Sequence, residues 1–161
     1  MTEAILPSEE RFVLVRELDA LVRDREEFSA WFHLLAQLED PLVVAVLLQS
    51  PHITRDQAES VAVGFLKSSE THSSSWYALY AIAGSDKVSH DTLTKVYNRG
   101  GWVIYLALAM NTHVPADIRD KLKVLPVQKT DTWALLQSLG GDIPKVHSDR
   151  YAEIRNIASG A

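Results

Sequence analysis

The chain has 161 residues, a net charge of −5 and a hydrophobic fraction of 47%. It is long enough for one domain with a sizeable core, so no metal or disulfide is needed to hold it together. The lack of cysteine excludes disulfides, thiolate nucleophiles and cysteine-ligated metal sites, and the acidic balance disfavours a nucleic-acid binder that uses its whole surface.

Three helices are predicted before residue 50. Ser8 precedes two glutamates, an order typical of a helix start because the free N–H groups there attract negative charge. Apolar residues then recur at helical spacing through two amphipathic helices, and those of the second, as late as Leu38, are predicted to face inward. Asp40 and Pro41 follow as N-cap and first helical residue, which opens a third helix.

Later in the chain, caps and breaks alternate at short intervals. Thr54 and Gln57 form a capping-box pattern, the serine-rich stretch 68–74 is predicted to be a loop, and Gly100 and Gly101 end another helix. The predicted helices, about ten in all, cover residues 8–22, 26–38, 41–49, 54–67, 75–83, 89–99, 102–110, 115–124, 132–139 and 148–158.

The apolar run 41–48 could form a helix, a strand or a membrane span. Three of its residues 43–46 are β-branched valines, which fit a strand, but the Asp-Pro pair before them favours a helix. The run is also far shorter than the roughly 20 residues that a bilayer span requires. We therefore predict a buried helix, no membrane segment, and a cytoplasmic protein without a secretion signal.

An internal repeat is the most informative feature of the sequence. Four segments share one frame, in which an apolar residue is followed three positions later by aspartate and eight positions later by a second apolar residue. The segments begin 35, 26 and 32 residues apart, as expected of a degenerate repeat. They are 53–56, 88–91, 114–117 and 146–149.

This frame predicts a pair of helices for each repeat. The first apolar residue packs inside the turn between them. The aspartate falls in the first helical turn, where free N–H groups and the helix dipole favour its negative charge. Such a pair cannot bury its apolar face alone, but several stacked pairs share a core. We predict one all-α domain over 1–161, with capping helices in 1–39 and repeats in 40–158. It forms a short right-handed α-solenoid of stacked antiparallel helix pairs or, alternatively, a compact array of about ten helices.

The segment 108–118 carries a family resemblance. It runs from a Leu-Ala helix end through asparagine and a short turn into Pro-x-acid, and it resembles the leucine-rich-repeat-variant motif. Segments 48–54 and 83–89 are looser copies, and residues 40–158 are more broadly similar to HEAT-like α-solenoids. The resemblance implies a binding scaffold without naming its ligand. Some members of the family carry a cysteine cluster, which this chain lacks.

Basic residues recur beside the predicted turns. Equivalent positions of a solenoid align on one edge, so these residues are predicted to form a weakly basic ridge that faces an acidic partner, including phosphate. The alternative is a set of independent solvated turns. The candidate ridge residues are His52, Arg55, Lys87, His90, His113, Lys145 and Arg150.

The four tryptophans allow two interpretations. At helical spacing they pack in the core or between repeats, whereas an exposed tryptophan is a common interface anchor. The recurrent aspartates fit helix-start electrostatics better than a ladder of ligands, and the histidines lack metal-ligand spacing. The tryptophans are Trp31, Trp76, Trp102 and Trp133.

No pattern in the sequence indicates catalysis. It contains no glycine-rich phosphate loop, no nucleophile elbow and no paired carboxylates in a motif typical of a catalytic cleft, so we predict neither an enzyme nor a cofactor or metal site. The function we expect is a protein-binding scaffold, an adaptor or an inhibitor of a larger protein. The alternatives are nucleic-acid binding through the ridge and a small enzyme of unknown class; self-association through apolar terminal repeats leaves the oligomeric state open.

Overall fold

The protein is all-helical throughout the part that the structure, a computed structural model, describes: residues 8–68, 75–125 and 143–160. Side chains are described from residue 13 in the first helix and from residue 150 in the last. The helices in these ranges are α1 (Ser8–Arg23), α2 (Arg25–Gln37), α3 (Pro41–Leu48), α4 (Arg55–Ser68), α5 (Ser75–Ala83), α6 (His90–Arg99), α7 (Trp102–Met110), α8 (Ala116–Lys123) and α9 (Ile143–Ala158).

The predicted helix starts at Asp40 and Thr54 are confirmed. The Asp40 carboxylate accepts hydrogen bonds from the backbone N–H groups of Leu42 (2.9 Å) and Val43 (3.3 Å). The Thr54 N–H donates to the Gln57 side chain (3.0 Å), and the Gln57 N–H donates back to the Thr54 hydroxyl (3.2 Å). These bonds satisfy N–H groups that the helices leave free. Residues 43–46, which follow the Asp40 cap, form a helix and not a strand.

Alternate helices pack side by side. α3 packs against α1 and α5, α5 packs against α7, and α7 packs against α9. The intervening helices lie against this row: α4 on α3, α6 on α5 and α7, and α8 on α7 and α9. One continuous core of apolar side chains runs from Val22 to Ala158 between them.

The two sets of helices differ in how much of their surface is apolar. In α3, all six residues from 43 to 48 are buried, because α1, α2, α4 and α5 all pack around this helix. α6 is amphipathic and buries Leu93 and Val96 while its charged residues face outward. Full burial of such a side chain contributes about 1.5–3 kcal/mol. Across the described ranges, no helix is both long and apolar enough to cross a membrane.

The link between α6 and α7 depends on two glycines. Gly100 has φ 78° and Gly101 has φ 106°, values that a residue with a Cβ atom adopts only with strain. They allow α7 to begin at Trp102, directly after α6 ends at Arg99.

The last repeat differs from its prediction. α9 begins at Ile143 and not at residue 148, so segment 146–149 lies inside a helix and is not a turn with a cap. Pro144 explains the earlier start, because proline suits the first helical turn, where its missing N–H has no partner to lose. The helix predicted over 132–139 lies outside the described residues.

Candidate protein-interaction surfaces

A buried polar residue begins each of the three turns that follow α3, α5 and α7. These residues are Ser50, Ser85 and Asn111, and each accepts a hydrogen bond from the backbone N–H two positions later, at 3.2, 3.2 and 2.9 Å. This side-chain bond stabilises a tight turn. Two of the three also reach an earlier turn. Ser50 donates to the Val22 carbonyl at 2.6 Å, and the Asn111 amide donates to the carbonyls of Ala83 and Ser85, both at 2.9 Å.

Three of the predicted ridge residues hold these turns together. Each lies in a turn, and its side-chain nitrogen contacts the carbonyl just before the helix start of the preceding pair. A carbonyl only accepts, so the histidine nitrogen in such a contact must carry its hydrogen. The three contacts are His52 Nε2 to the Arg23 carbonyl (2.8 Å), Lys87 Nζ to the Ile53 carbonyl (2.8 Å) and His113 Nε2 to the Val88 carbonyl (3.2 Å).

The structure therefore places His52, Lys87 and His113 along one edge, which we call the junction edge. All three are half-buried, and each directs a polar hydrogen at the protein's own backbone. The contacts along this edge hold successive helix pairs in register.

The other ridge candidates have different surroundings. Arg55 and His90 are exposed, and the His90 ring lies 4.8 Å from the His113 ring. The Arg150 guanidinium lies 3.7 Å from the centre of the Trp102 ring, a cation–π contact that pins α9 to α7. The Lys145 side chain lies outside the described residues.

The tryptophans divide between the two interpretations. Trp102 packs against the core beneath Arg150. Trp31 and Trp76 are each 43% exposed; the Trp31 indole N–H donates to Glu27 at 3.0 Å, and the Trp76 ring stacks on Tyr77 at 3.7 Å. Trp133 lies outside the described residues. Trp31 and Trp76 thus keep free apolar surface for contact with a partner.

Glu59 of α4 connects two neighbouring pairs. Its carboxylate accepts from the Ser89 N–H (2.7 Å), the Ser89 hydroxyl (2.8 Å) and the Thr92 hydroxyl (2.6 Å) at the start of α6. Burial alone would raise the pKa of Glu59, but these hydrogen bonds, aided by Lys95, favour the charged form and hold its pKa below the usual 4.5. The carboxylate is fully used in capping α6.

A groove of about 510 Å³ lies between α2 and α4. Its apolar lining comes from Phe32 on α2, Val44 on α3, and Val61 and Phe65 on α4. The volume is within the range of sites that take small molecules or side chains. α4 packs more closely against α6 than against α2, which leaves the groove open.

Two unusual backbone positions border this groove. Gly64 is in the interior of α4, and a Cβ atom added there would meet nothing within 4 Å. Glu39, in the turn after α2, has φ 51°, a left-handed conformation that is uncommon for residues other than glycine. No neighbouring atom of the described chain requires glycine at position 64, whereas the left-handed backbone of Glu39 lets the chain turn from α2 into α3.

The opposite side of α2 carries a stripe of exposed apolar residues. Trp31, Leu34 and Leu38 are 43%, 59% and 62% exposed. At about 3.6 residues per turn, they lie on one side of the helix, away from Phe32 and Ala36, which line the groove. The prediction that Leu38 faces inward is wrong, because its helical backbone keeps it in line with the exposed Trp31 and Leu34 and not with the buried face of α2.

The sequence of α2 contains a signal for this stripe. Large apolar residues occupy so wide an arc of α2 that one neighbouring layer cannot cover all of them. The signal for the groove is weaker, because only Gly64, within an otherwise helical pattern, marks it.

The described part of the chain holds no cluster of three or more His, Asp or Glu residues that suits a metal ion. Its most perturbed carboxylate, Glu59, is occupied with capping. Exposed apolar surface for a partner remains at the apolar stripe, the groove and Trp76. The chain matches no protein-family profile, no curated protein and no solved structure.

Proposed function

We propose that the protein is a non-enzymatic scaffold that binds a protein partner in the cytoplasm, as an adaptor or an inhibitor. In this proposal the stacked pairs form a short α-solenoid, similar to leucine-rich-repeat-variant and HEAT-like arrays, that presents helix faces to the partner. The lack of cysteine fits a reducing compartment.

The apolar stripe of Trp31, Leu34 and Leu38 carries this proposal. Terminal repeats of a solenoid normally have a polar outer face, because no further repeat covers them. Here the first pair instead holds five of the nine most exposed large apolar side chains in the described residues: Val13, Leu14, Trp31, Leu34 and Leu38. Exposed apolar surface of this kind, with a tryptophan in it, is characteristic of protein-binding sites.

The junction edge supports nucleic-acid binding less well. A phosphate-binding surface needs cationic groups that are free to displace counterions. Lys87 and the two histidines of the edge instead contact backbone carbonyls, and the chain as a whole is acidic.

Comparative affinity capture tests the proposal. Wild-type protein, the double variant Leu34→Glu/Leu38→Glu and the control Met110→Glu are each immobilised and exposed to an extract of the source organism. Met110 is 62% exposed and lies on α7, away from the stripe. We expect a partner to be retained by the wild type and the control but lost with the double variant, since a charge in the stripe cannot be buried against apolar partner surface.

The proposal would be contradicted by equal retention of every captured protein on all three baits. Circular dichroism and thermal unfolding of the double variant guard against trivial misfolding. Both substituted residues are exposed, so we expect its midpoint to stay close to that of the wild type.

A further inference from the structure

The groove between α2 and α4 has room for part of a partner. Its volume of about 510 Å³ exceeds that of a single large side chain, and its lining by Phe32, Val44, Val61 and Phe65 favours apolar groups. An aromatic or leucine side chain that entered it would exchange water for contacts with these four residues.

The charged groups at the groove indicate which charge its ligand should carry. Among the residues that line it, Glu39 and Asp56 are acidic, His33 is the titratable base, and neither lysine nor arginine is present. Charge complementarity therefore favours a cationic ligand.

Gly64 adds an independent geometric observation. Glycine inside a helix costs roughly 0.5–1 kcal/mol relative to alanine, and the open space at this position means that no neighbour in the described chain requires it. Ser60, one turn earlier, also lines the groove. Together the two small residues let another backbone or a broad side chain approach α4 closely.

We propose that this groove is a second binding site, which receives an apolar anchor side chain from a partner segment that also carries lysine or arginine. The anchor packs against Phe32 and Phe65, and the cation pairs with Glu39 or Asp56. This inference rests on the proposed protein-binding function and adds the chemistry of the partner to it.

A second copy of this chain is a poorer occupant of the groove. Its exposed apolar stripe is flanked by Glu26 and Glu27 in the first turn of α2, and these acids would face the acids of the groove. Like charges brought together in an interface are costly. The expected occupant is thus a different, basic protein segment.

The test uses a fluorescent peptide of about 14 residues, roughly four helical turns, built from leucine and lysine with one apolar face. A matched peptide has glutamate in place of lysine. Binding to the full chain is measured by fluorescence anisotropy for the wild type, for Gly64→Leu, which fills the groove, and for Gly64→Ala, which leaves most of it open. Glycine-selective ¹⁵N spectra report whether the Gly64 resonance shifts while those of Gly84 and Gly160 do not.

We expect the lysine peptide to bind the wild type and Gly64→Ala at least tenfold more tightly than Gly64→Leu, and the glutamate peptide to bind all three weakly. Both variants should remain folded, because a Cβ atom at this position meets nothing within 4 Å and Gly64 lines the open groove that the longer leucine side chain would enter. Equal binding of the lysine peptide to the wild type and Gly64→Leu would overturn the inference, as would a change from dimer to monomer in light scattering on Gly64→Leu.

Failure of this inference is separable from failure of the proposed function. The double variant Leu34→Glu/Leu38→Glu leaves the groove intact and so should bind the lysine peptide as the wild type does. If the stripe variant loses its captured partner while Gly64→Leu still binds the peptide normally, the scaffold function stands and the groove proposal is wrong.

Discussion

The junction edge and the α2 side of the molecule use their side chains in opposite ways. At the junction edge, polar and basic groups contact the backbone of the preceding pair, as Asn111 does with Ala83 and Lys87 with Ile53. Around α2, apolar side chains such as Leu34 face outward, and the groove beside the helix is unfilled. The polar groups of the junction edge are bonded within the chain, whereas the apolar side chains around α2 still face solvent.

This contrast separates residues that hold the fold from residues that are free to bind. Basic residues recur at the junction edge because each new pair needs a donor for a carbonyl of the previous pair. A repeated basic position is therefore no sign of an acidic partner in this chain. The following predictions test the contrast in order of decreasing effect.

Asn111→Ala should cause the largest loss of stability. Asn111 is 6% exposed, donates to two carbonyls and accepts from the His113 N–H. Its removal leaves buried polar groups without partners, which costs about 3 kcal/mol and lowers the unfolding midpoint by roughly 6–12 °C. Thermal unfolding followed by circular dichroism measures this, with the exposed neighbour variant Thr112→Ala as control. A midpoint within 2 °C of the control, on the order of 1 kcal/mol or less, would show that the junction bonds contribute little.

Lys87→Met should lower stability without affecting partner binding. The change keeps the apolar stem but removes the donor to the Ile53 carbonyl, which we expect to cost about 1 kcal/mol in urea unfolding. Lys95→Met is the matched control, since Lys95 is exposed and its ion pair with Asp91 at 3.0 Å is worth about 0.3–0.5 kcal/mol, besides its attraction to Glu59. A loss of partner affinity in Lys87→Met with unchanged stability would instead support the basic-ridge interpretation.

Glu59→Gln should produce a pH-dependent effect. The folded pKa of Glu59 is lowered by hydrogen bonds from Thr92 and Ser89, so its stabilising contribution is present above its usual pKa of 4.5 and is lost as the pH falls through the lower folded value. We expect Glu59→Gln to be about 1 kcal/mol less stable than the wild type at neutral pH. The difference should narrow as the pH drops below 4.5; a constant difference at every pH would refute the assigned role of the charge.

Gly64→Ala should slightly stabilise the protein. The helix interior gains about 0.5–1 kcal/mol when alanine replaces glycine, and the new methyl group meets open space. Urea unfolding should show a higher midpoint with an unchanged slope. Lower stability would mean that α4 needs glycine for a packing reason, which would weaken the argument that the position is kept open for a partner.

Local sequence signals were sufficient to predict most helices. The caps at Asp40 and Thr54 depend on residues two or three positions apart, so their hydrogen bonds are encoded within a single turn. The same applies to Gly100 and Gly101, whose positive φ values end one helix and allow the next. All-α content follows from such features alone.

The candidate site depends on contacts that local patterns do not contain. His52 and the Arg23 carbonyl are 29 residues apart, so the sequence identifies a basic residue at a turn but not what it contacts. The exposure of Leu34 and Leu38 likewise depends on the absence of a neighbouring helix beyond α2 among the described residues, which apolar spacing does not report. α9 shows a third limit, since Pro144 starts the helix before the repeat frame would.

Hydrogen exchange of the complex with a captured partner tests the central claim most directly. If α2 and the groove are the binding surfaces and the junction edge is structural, the partner should slow amide exchange in residues 31–39 and 60–65 and leave residues 111–119 unchanged. Protection that appears instead at residues 52–55 and 87–90, with none in α2, would contradict the account and return the binding function to the basic residues of the junction edge.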